Sequence, residues 1–288
     1  MNPLGPVDRI RSLDGLRGLA ALYVTLVHAY WLTGEQWRHE LVVSAAGAPS
    51  ILQRTILQAL TYGYEAVIFF FVLSGFVIRI RYPSFAGVLS IADYLYRRAL
   101  RLVPVMIVGL CVALVLDRWA RSAGWPLLRG ETPYPVLNHY WGHLPLDVAT
   151  LTRTLTFCIS FETRSWGSSM AYWSLGHEGF YYLIYPLCVG LYARAREWCV
   201  LAWVGAGIYA AVHPIAGPAM PIRYFVALAA IWWYGVYLAD AYRGRTLIPL
   251  RALASLAVIV PAVYILHAAT RTSALGMKGD LRPFYSLA

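Results

Sequence analysis

Charge is scarce in this sequence. Asp, Glu, Lys and Arg supply 13% of its 288 residues, about half the share usual in soluble domains. That argues against a water-soluble globule. Lysine is all but missing: Lys278 is the only one among 24 basic residues, a bias that reports genomic base composition rather than chemistry. Cysteine is sparse as well. Cys111, Cys158, Cys188 and Cys199 show no C-x-x-C spacing, and three of them lie inside apolar runs, so neither a disulfide framework nor a metal site is expected. No A-x-A cleavage site follows the first apolar run, which Asp14 and Arg17 interrupt; a retained helix fits better than a signal peptide. Repeats, linkers and low-complexity tracts are missing too. Residues 1–288 therefore read as a single membrane domain.

What fills the chain instead is apolar and aromatic. Hydrophobic residues make up 59%, with 11 Trp and 21 Tyr, and the mean hydropathy is +0.56. Such rings settle at headgroup depth. With about 20 apolar residues needed per crossing, residues 13–32, 62–80, 95–117, 172–192, 197–213, 222–241 and 250–269 read as seven transmembrane helices, making the fold class an all-α polytopic bundle. Segment 146–161, short and with Arg153 at its centre, reads as interfacial or re-entrant within a long outer loop, 118–171. That loop's Pro, Trp, Tyr and His suit either a sugar-stacking surface or a plain interfacial one. The net charge of +10 does not point to nucleic acid, because no basic stretch stands clear of apolar sequence. With the N-terminus cytoplasmic, the arginine clusters at 9–11, 79–81, 97–98, 194–196 and 243–251 all fall in short inner segments, as the positive-inside rule requires.

Ionisable groups at bilayer depth need a reason, since each is costly there. Arg17 and His28 are eleven positions apart, so they share a helix face, about 20° apart, while standing about 16 Å apart along the axis. Arg17 lies near the inner surface with Asp14 one turn back; His28 lies toward the outer one. Arg98 and Arg101, at i, i+3 in "YLYRRALRLVP", open the third helix from the inner side, where guanidinium forks near a helix N-terminus suit phosphate oxygens. Arg97 reads as an anchor. In "YWSLGHEGFYYLIYP", His177 and Glu178 enter the fourth helix from the outer side, near the depth of His28. A carboxylate there needs a partner, and a His oriented by a carboxylate is a general base for a hydroxyl.

Structural readings stay open for each of these groups: Arg17 snorkelling beside Asp14, His28 bonding a neighbouring helix, Glu178 in a packing ion pair. Ser74 and Gly75, in "FFFVLSGFVIRIR", read as small close-packing residues without the G-x-S-x-G context of a nucleophile. His139 and His143 stand at i, i+4 in a Pro-bounded loop with no third ligand in evident spacing, so no metal is expected. Arginines at the inner end with His and Glu toward the outer end are what group transfer across a membrane would require.

Four motifs in order resemble the bacterial acyltransferase family 3, the membrane-bound O-acyltransferases that modify sugars, lipopolysaccharide, peptidoglycan, exopolysaccharide and some antibiotics. "LDGLRGLAALYVTLVH" has the family's R-x10-H spacing at Arg17 and His28; "FFFVLSGFVI" looks like its second-helix signature; "RRALRLVP" carries its R-x-x-R at Arg98 and Arg101; "WSLGHEGFYYLIYP" is similar to its W-S-L-x-x-E-x-x-F/Y-Y pattern; "WWYGVYLAD" resembles a later, weaker motif. The resemblance implies acyl-CoA, acetyl-CoA above all, as a donor bound from the cytoplasm with its phosphates near Arg17, Arg98 and Arg101. It also implies His28 as catalytic base or transient acyl carrier with Glu178 as its partner, and Trp173, His177 and Tyr182 as contacts of the acceptor. That acceptor is expected to be a carbohydrate or glycolipid outside the bacterial inner membrane. His177 departs from the pattern, standing where the family usually has a small or apolar residue. Because the family has about ten spans and this chain stops after seven, at "GDLRPFYSLA", a C-terminal truncation is expected. The competing functions are a transporter or flippase with Arg17, His28 and Glu178 as a relay, for which no inverted repeat is found, and an inactive truncated paralogue.

Overall fold

The computed structural model describes residues 13, 15–28, 63–133, 138, 141–142, 144–158, 166–212 and 220–249. Every regular element among them is helical, with no strand. Helix α1 covers 15–28. It is followed by α2 (Gly63–Arg81), α3 (Val88–Ser122), the short α4 (Pro126–Arg129), α5 (Val148–Leu155), a 3-10 turn at Met170–Tyr172, α6 (Trp173–Arg194), α7 (Arg196–Val212) and α8 (Met220–Tyr242). Six of the seven apolar segments read from the sequence thus coincide with a helix. The seventh, 250–269, lies outside the described residues, as do Asp14, His139, His143 and the C-terminal tail.

The run "AVIFFFV" in α2 has a composition that would suit a strand. A helix wins because it satisfies every backbone group within the segment, which a single apolar strand cannot do. Among its described residues segment 146–161 holds one α-helix, α5, whose eight residues extend about 12 Å, far short of a hydrocarbon core of about 30 Å. Its N-cap Asp147 accepts from the Thr150 backbone N–H and hydroxyl, both at 2.8 Å, and those bonds hold the Asp147 carboxyl below the usual carboxylate range.

Among the described residues two helices, Val88–Ser122 and Phe225–Tyr242, are long and apolar enough to cross a membrane. The first exposes Val105, Val108, Val112, Val115 and Leu116 along its outward side, an apolar surface that a water-soluble monomer rarely tolerates. Pro104 and Pro186 sit inside α3 and α6. Each removes an N–H, freeing the carbonyls of Leu100 and Tyr182 from the helical ladder.

Helices α2 and α8 make the tightest contact. A Cβ added at Gly75 would strike the Trp232 carbonyl of α8, and one at Gly235 would strike the Val72 carbonyl of α2. Two facing glycines therefore set the backbone separation, the small-residue packing that "LSGF" leads one to expect. Gly75→Val is expected to push these helices apart at a cost of about 1–3 kcal/mol or more, read as a lowered Tm in detergent; an unchanged Tm would contradict the contact. The core around this seam is aromatic: Tyr94, Tyr182, Tyr185, Tyr192, Trp232 and Tyr237 are fully or nearly buried. Buried Tyr hydroxyls need partners, and Tyr185 finds the Tyr82 carbonyl at 2.6 Å while Tyr181 finds that of Phe225 at 3.0 Å.

Charges gather at one end of the bundle. Arg79 of α2 and Asp240 of α8 are 2% and 0% exposed and 2.9 Å apart, with the Arg79 Nε 3.1 Å from both carboxylate oxygens. Arg196 of α7 adds a second guanidinium at 2.9 Å. Arg79 also donates to the Pro83 carbonyl and Arg243 to that of Ile80, each at 2.7 Å. Arg79, which the charge pattern counts among residues of an inner loop, is thus a buried cation paired with Asp240, the carboxylate that ties α2, α7 and α8 together.

Candidate active site

Glu178 and Tyr182 stand four residues apart on α6, so they share a face. Ser74 meets them from α2. Its hydroxyl donates to Glu178 Oε1 at 2.9 Å and lies 3.1 Å from the Tyr182 oxygen; Tyr182 donates to the same Glu178 oxygen. Ser74 and Tyr182 are buried and Glu178 half-buried. Oε1 is therefore held by two hydroxyls. Among the described residues Oε2 takes no hydrogen bond, so one oxygen of the oriented carboxylate has no partner among them.

Arg98 of α3 is only 8% exposed. Its guanidinium lies 5.5, 5.9 and 5.6 Å from the ring centroids of Tyr82, Tyr94 and Tyr182, and its Nε is buried without a hydrogen-bond partner, as is the Tyr94 hydroxyl. Among the described residues no carboxylate pairs with it. Arg97, by contrast, has Asp93 at 2.8 Å. A buried cation without a counter-charge is expensive, and three aromatic faces offset only part of that cost. Tyr182 links Arg98 to the carboxylate, with its ring under the guanidinium and its hydroxyl on Glu178. The arginine site and the carboxylate site, which the sequence places at opposite ends, are thus one side chain apart.

The other expected site residues fall as follows. Arg101, a turn beyond Arg98, is exposed, and its charge acts on the Tyr182 hydroxyl. Arg17 is half-buried on α1, with no described contact to Arg98 or Arg101. His28 stands exposed at the end of α1, its Nδ1 2.8 Å from the Val24 carbonyl. A carbonyl only accepts, so Nδ1 is the donor, and it is Nε2 that carries the lone pair in the corresponding neutral tautomer. Helix α1 meets α2 where buried Val27 packs on Gly63, 2.6 Å from where a Cβ would stand. Gly63 and Ser74 are eleven residues apart on α2, about 16 Å along the axis. His28 and Glu178 accordingly make no contact here. His177, 1% exposed, donates through Nδ1 to the Trp173 carbonyl at 2.8 Å and sits among the rings of Phe71, Trp173, Tyr181 and Phe225. Of the three residues expected to contact the acceptor, Trp173, His177 and Tyr182, it is Tyr182 that touches Glu178.

Ser74 is the residue that sequence reasoning undervalued. A signal was there: it is the sole polar side chain between Glu65 and Arg79, and a polar group in such a run marks a functional position by default. Among the described residues no group of three or more His, Cys, Asp or Glu side chains could hold a metal ion.

Fold and site together define a helical-bundle protein with a polar site in its interior. A family model described as an acyltransferase domain, acyltransferase family 3, matches residues 10–286, and the chain belongs to that family and is an acyltransferase. It is similar to the acyltransferase MdmB of Streptomyces mycarofaciens, 26% identical over 322 residues that span 96% of this chain and 74% of the relative. No solved structure matches.

Proposed function

We propose that this acyltransferase is a multi-pass protein of the bacterial inner membrane that moves an acetyl or short acyl group from cytoplasmic acyl-CoA to a hydroxyl of a carbohydrate or glycolipid outside. The observation that carries the reading is the buried Arg98, which has no carboxylate partner among the described residues and lies one side chain from the Glu178 carboxylate. Acyl-CoA supplies the anion such a site lacks, in its phosphates, with Arg101 and Arg17 as further cations. The outward apolar side of α3 supports burial in lipid. The gathering of Arg79, Arg196 and Arg243 at one end supports a cytoplasmic inner face and a cytoplasmic N-terminus across seven spans.

In the reaction the acceptor O–H and the thioester C–S bond break, an ester C–O bond forms, and CoA leaves as the thiol. His28, with its Nε2 lone pair exposed, assists deprotonation of the acceptor hydroxyl or carries the acyl group in transit. The released proton ends on the thiol sulfur, which departs on the arginine side, and Glu178 stands on that route as proton station. Tyr182, with Trp173 and His177 on the same helix, lines the acceptor's approach.

Arg98→Ala is expected to lower kcat/KM for acetyl-CoA about 10- to 100-fold, the worth of one charge-assisted contact of about 1.5–3 kcal/mol. An unchanged value would move the donor elsewhere. The reading as a whole is tested by glycan analysis of a deletion strain carrying the wild-type or the His28→Ala chain: O-acylated glycan is expected with the first and not the second. Equal O-acylation with both, or none with either, would overturn it.

A further inference from the structure

Glu178 is held in an unusual way for a carboxylate in an apolar bundle. No guanidinium or imidazole neutralises it among the described residues; two hydroxyls bind it, both on Oε1, one from Ser74 across the interface with α2 and one from Tyr182 on its own helix. The hydroxyls also meet each other at 3.1 Å, closing a triangle that fixes the plane of the carboxylate. The Ser74 and Tyr182 hydroxyls are both spent on Oε1, and Glu178 is the half-buried member of the triangle. The small residue next to Ser74 matters too. Gly75 lets α2 lie against the Trp232 carbonyl, which seats the backbone from which Ser74 reaches α6.

Resting on the proposed acyl transfer, we infer that Ser74 and Tyr182 are positioning residues: they clamp Glu178 Oε1 so that Oε2 alone receives the reaction's proton and returns it to the departing thiolate. Two donors on one oxygen keep the carboxylate aimed, and a misdirected proton acceptor loses most of its catalytic effect. Tyr182 carries a second consequence. Its ring lies under Arg98, so an anion bound at the guanidinium and the carboxylate's orientation are felt by the same side chain.

The test is steady-state kinetics of the full-length protein in lipid nanodiscs, with acetyl-CoA as donor, glycan extracted from a deletion strain as acceptor, and covalent transfer as readout. Ser74→Ala is expected to lower kcat about tenfold with KM for acetyl-CoA unchanged, and Ser74→Thr, which keeps the hydroxyl, to recover most of it. In a double-mutant cycle, Ser74→Ala is expected to cost nothing further on a Glu178→Asp background, whose shortened carboxylate has already left the clamp. Wild-type kcat in Ser74→Ala, a loss expressed in KM alone, or a full additional loss on the Glu178→Asp background would each overturn the assignment. Absence of transfer by the wild-type protein would instead overturn the acyl-transfer reading beneath it, so the two failures are distinguishable.

Discussion

Replacing His28 by Ala is expected to abolish acyl transfer, by about 10²- to 10⁴-fold, the usual contribution of a positioned general base, while the protein still inserts and folds. The second half of that expectation follows from the packing. His28 is exposed and its one described bond is to its own helix, at Val24, whereas the adjoining Val27 makes the contact with Gly63. Removing the imidazole therefore takes away no tertiary contact with the described residues. It does take away an Nε2 lone pair that the Nδ1–H···O bond keeps available. His28→Gln, which offers a polar group but no base near neutral pH, should be as inactive as His28→Ala. Transfer at the wild-type rate in either variant, measured on equal amounts of folded protein, would remove His28 from the chemistry.

The largest effect on stability is expected at Asp240. Changing it to Ala leaves Arg79 buried with no counter-charge and Arg196 without its carboxylate, and breaking such a pair costs about 3–5 kcal/mol. Neither the turn carbonyl of Pro83 nor the Tyr192 ring, 5.1 Å from the Arg79 guanidinium, can replace a formal charge. A drop in Tm and in the yield of monodisperse protein is expected. The double substitution Arg79→Met with Asp240→Leu should be milder than Asp240→Ala, because it removes both charges from the apolar interior and leaves Arg196, only partly buried, free to turn to solvent. A double variant no more stable than the single one would mean that the pair does more than neutralise itself.

The helices and the glycine seam were legible in the sequence because both are local. A run of apolar residues without backbone partners has few solutions besides a helix, and a glycine inside bulky residues announces close approach. Arg98 stood out as a deep cation for a similar reason, its depth being readable from position alone. What stayed hidden is lateral pairing. Ser74 and Glu178 are 104 residues apart and Arg79 and Asp240 161, and no periodicity says which faces of two helices meet. The positive-inside pattern even obscured Arg79, since a cation near a helix end counts toward topology whether it faces headgroups or a buried Asp. The expected His28–Glu178 partnership rested on a common depth; in the structure Glu178 is satisfied by hydroxyls instead, and about 16 Å of α2 lies between Ser74 and the glycine against which α1 packs. A proton or acyl relay between inner and outer stations fits that separation better than a single contact pair.

The most direct measurement is the fate of radiolabelled acetyl-CoA supplied to the cytoplasmic side of sealed membrane vesicles that hold the glycan acceptor on the opposite side. Label covalently joined to the glycan across the membrane is expected with the wild-type chain, reduced by Arg98→Ala and lost with His28→Ala. Label that crosses without being attached to any acceptor would mean a transporter, and label that never reaches the glycan would contradict acyl transfer by this protein.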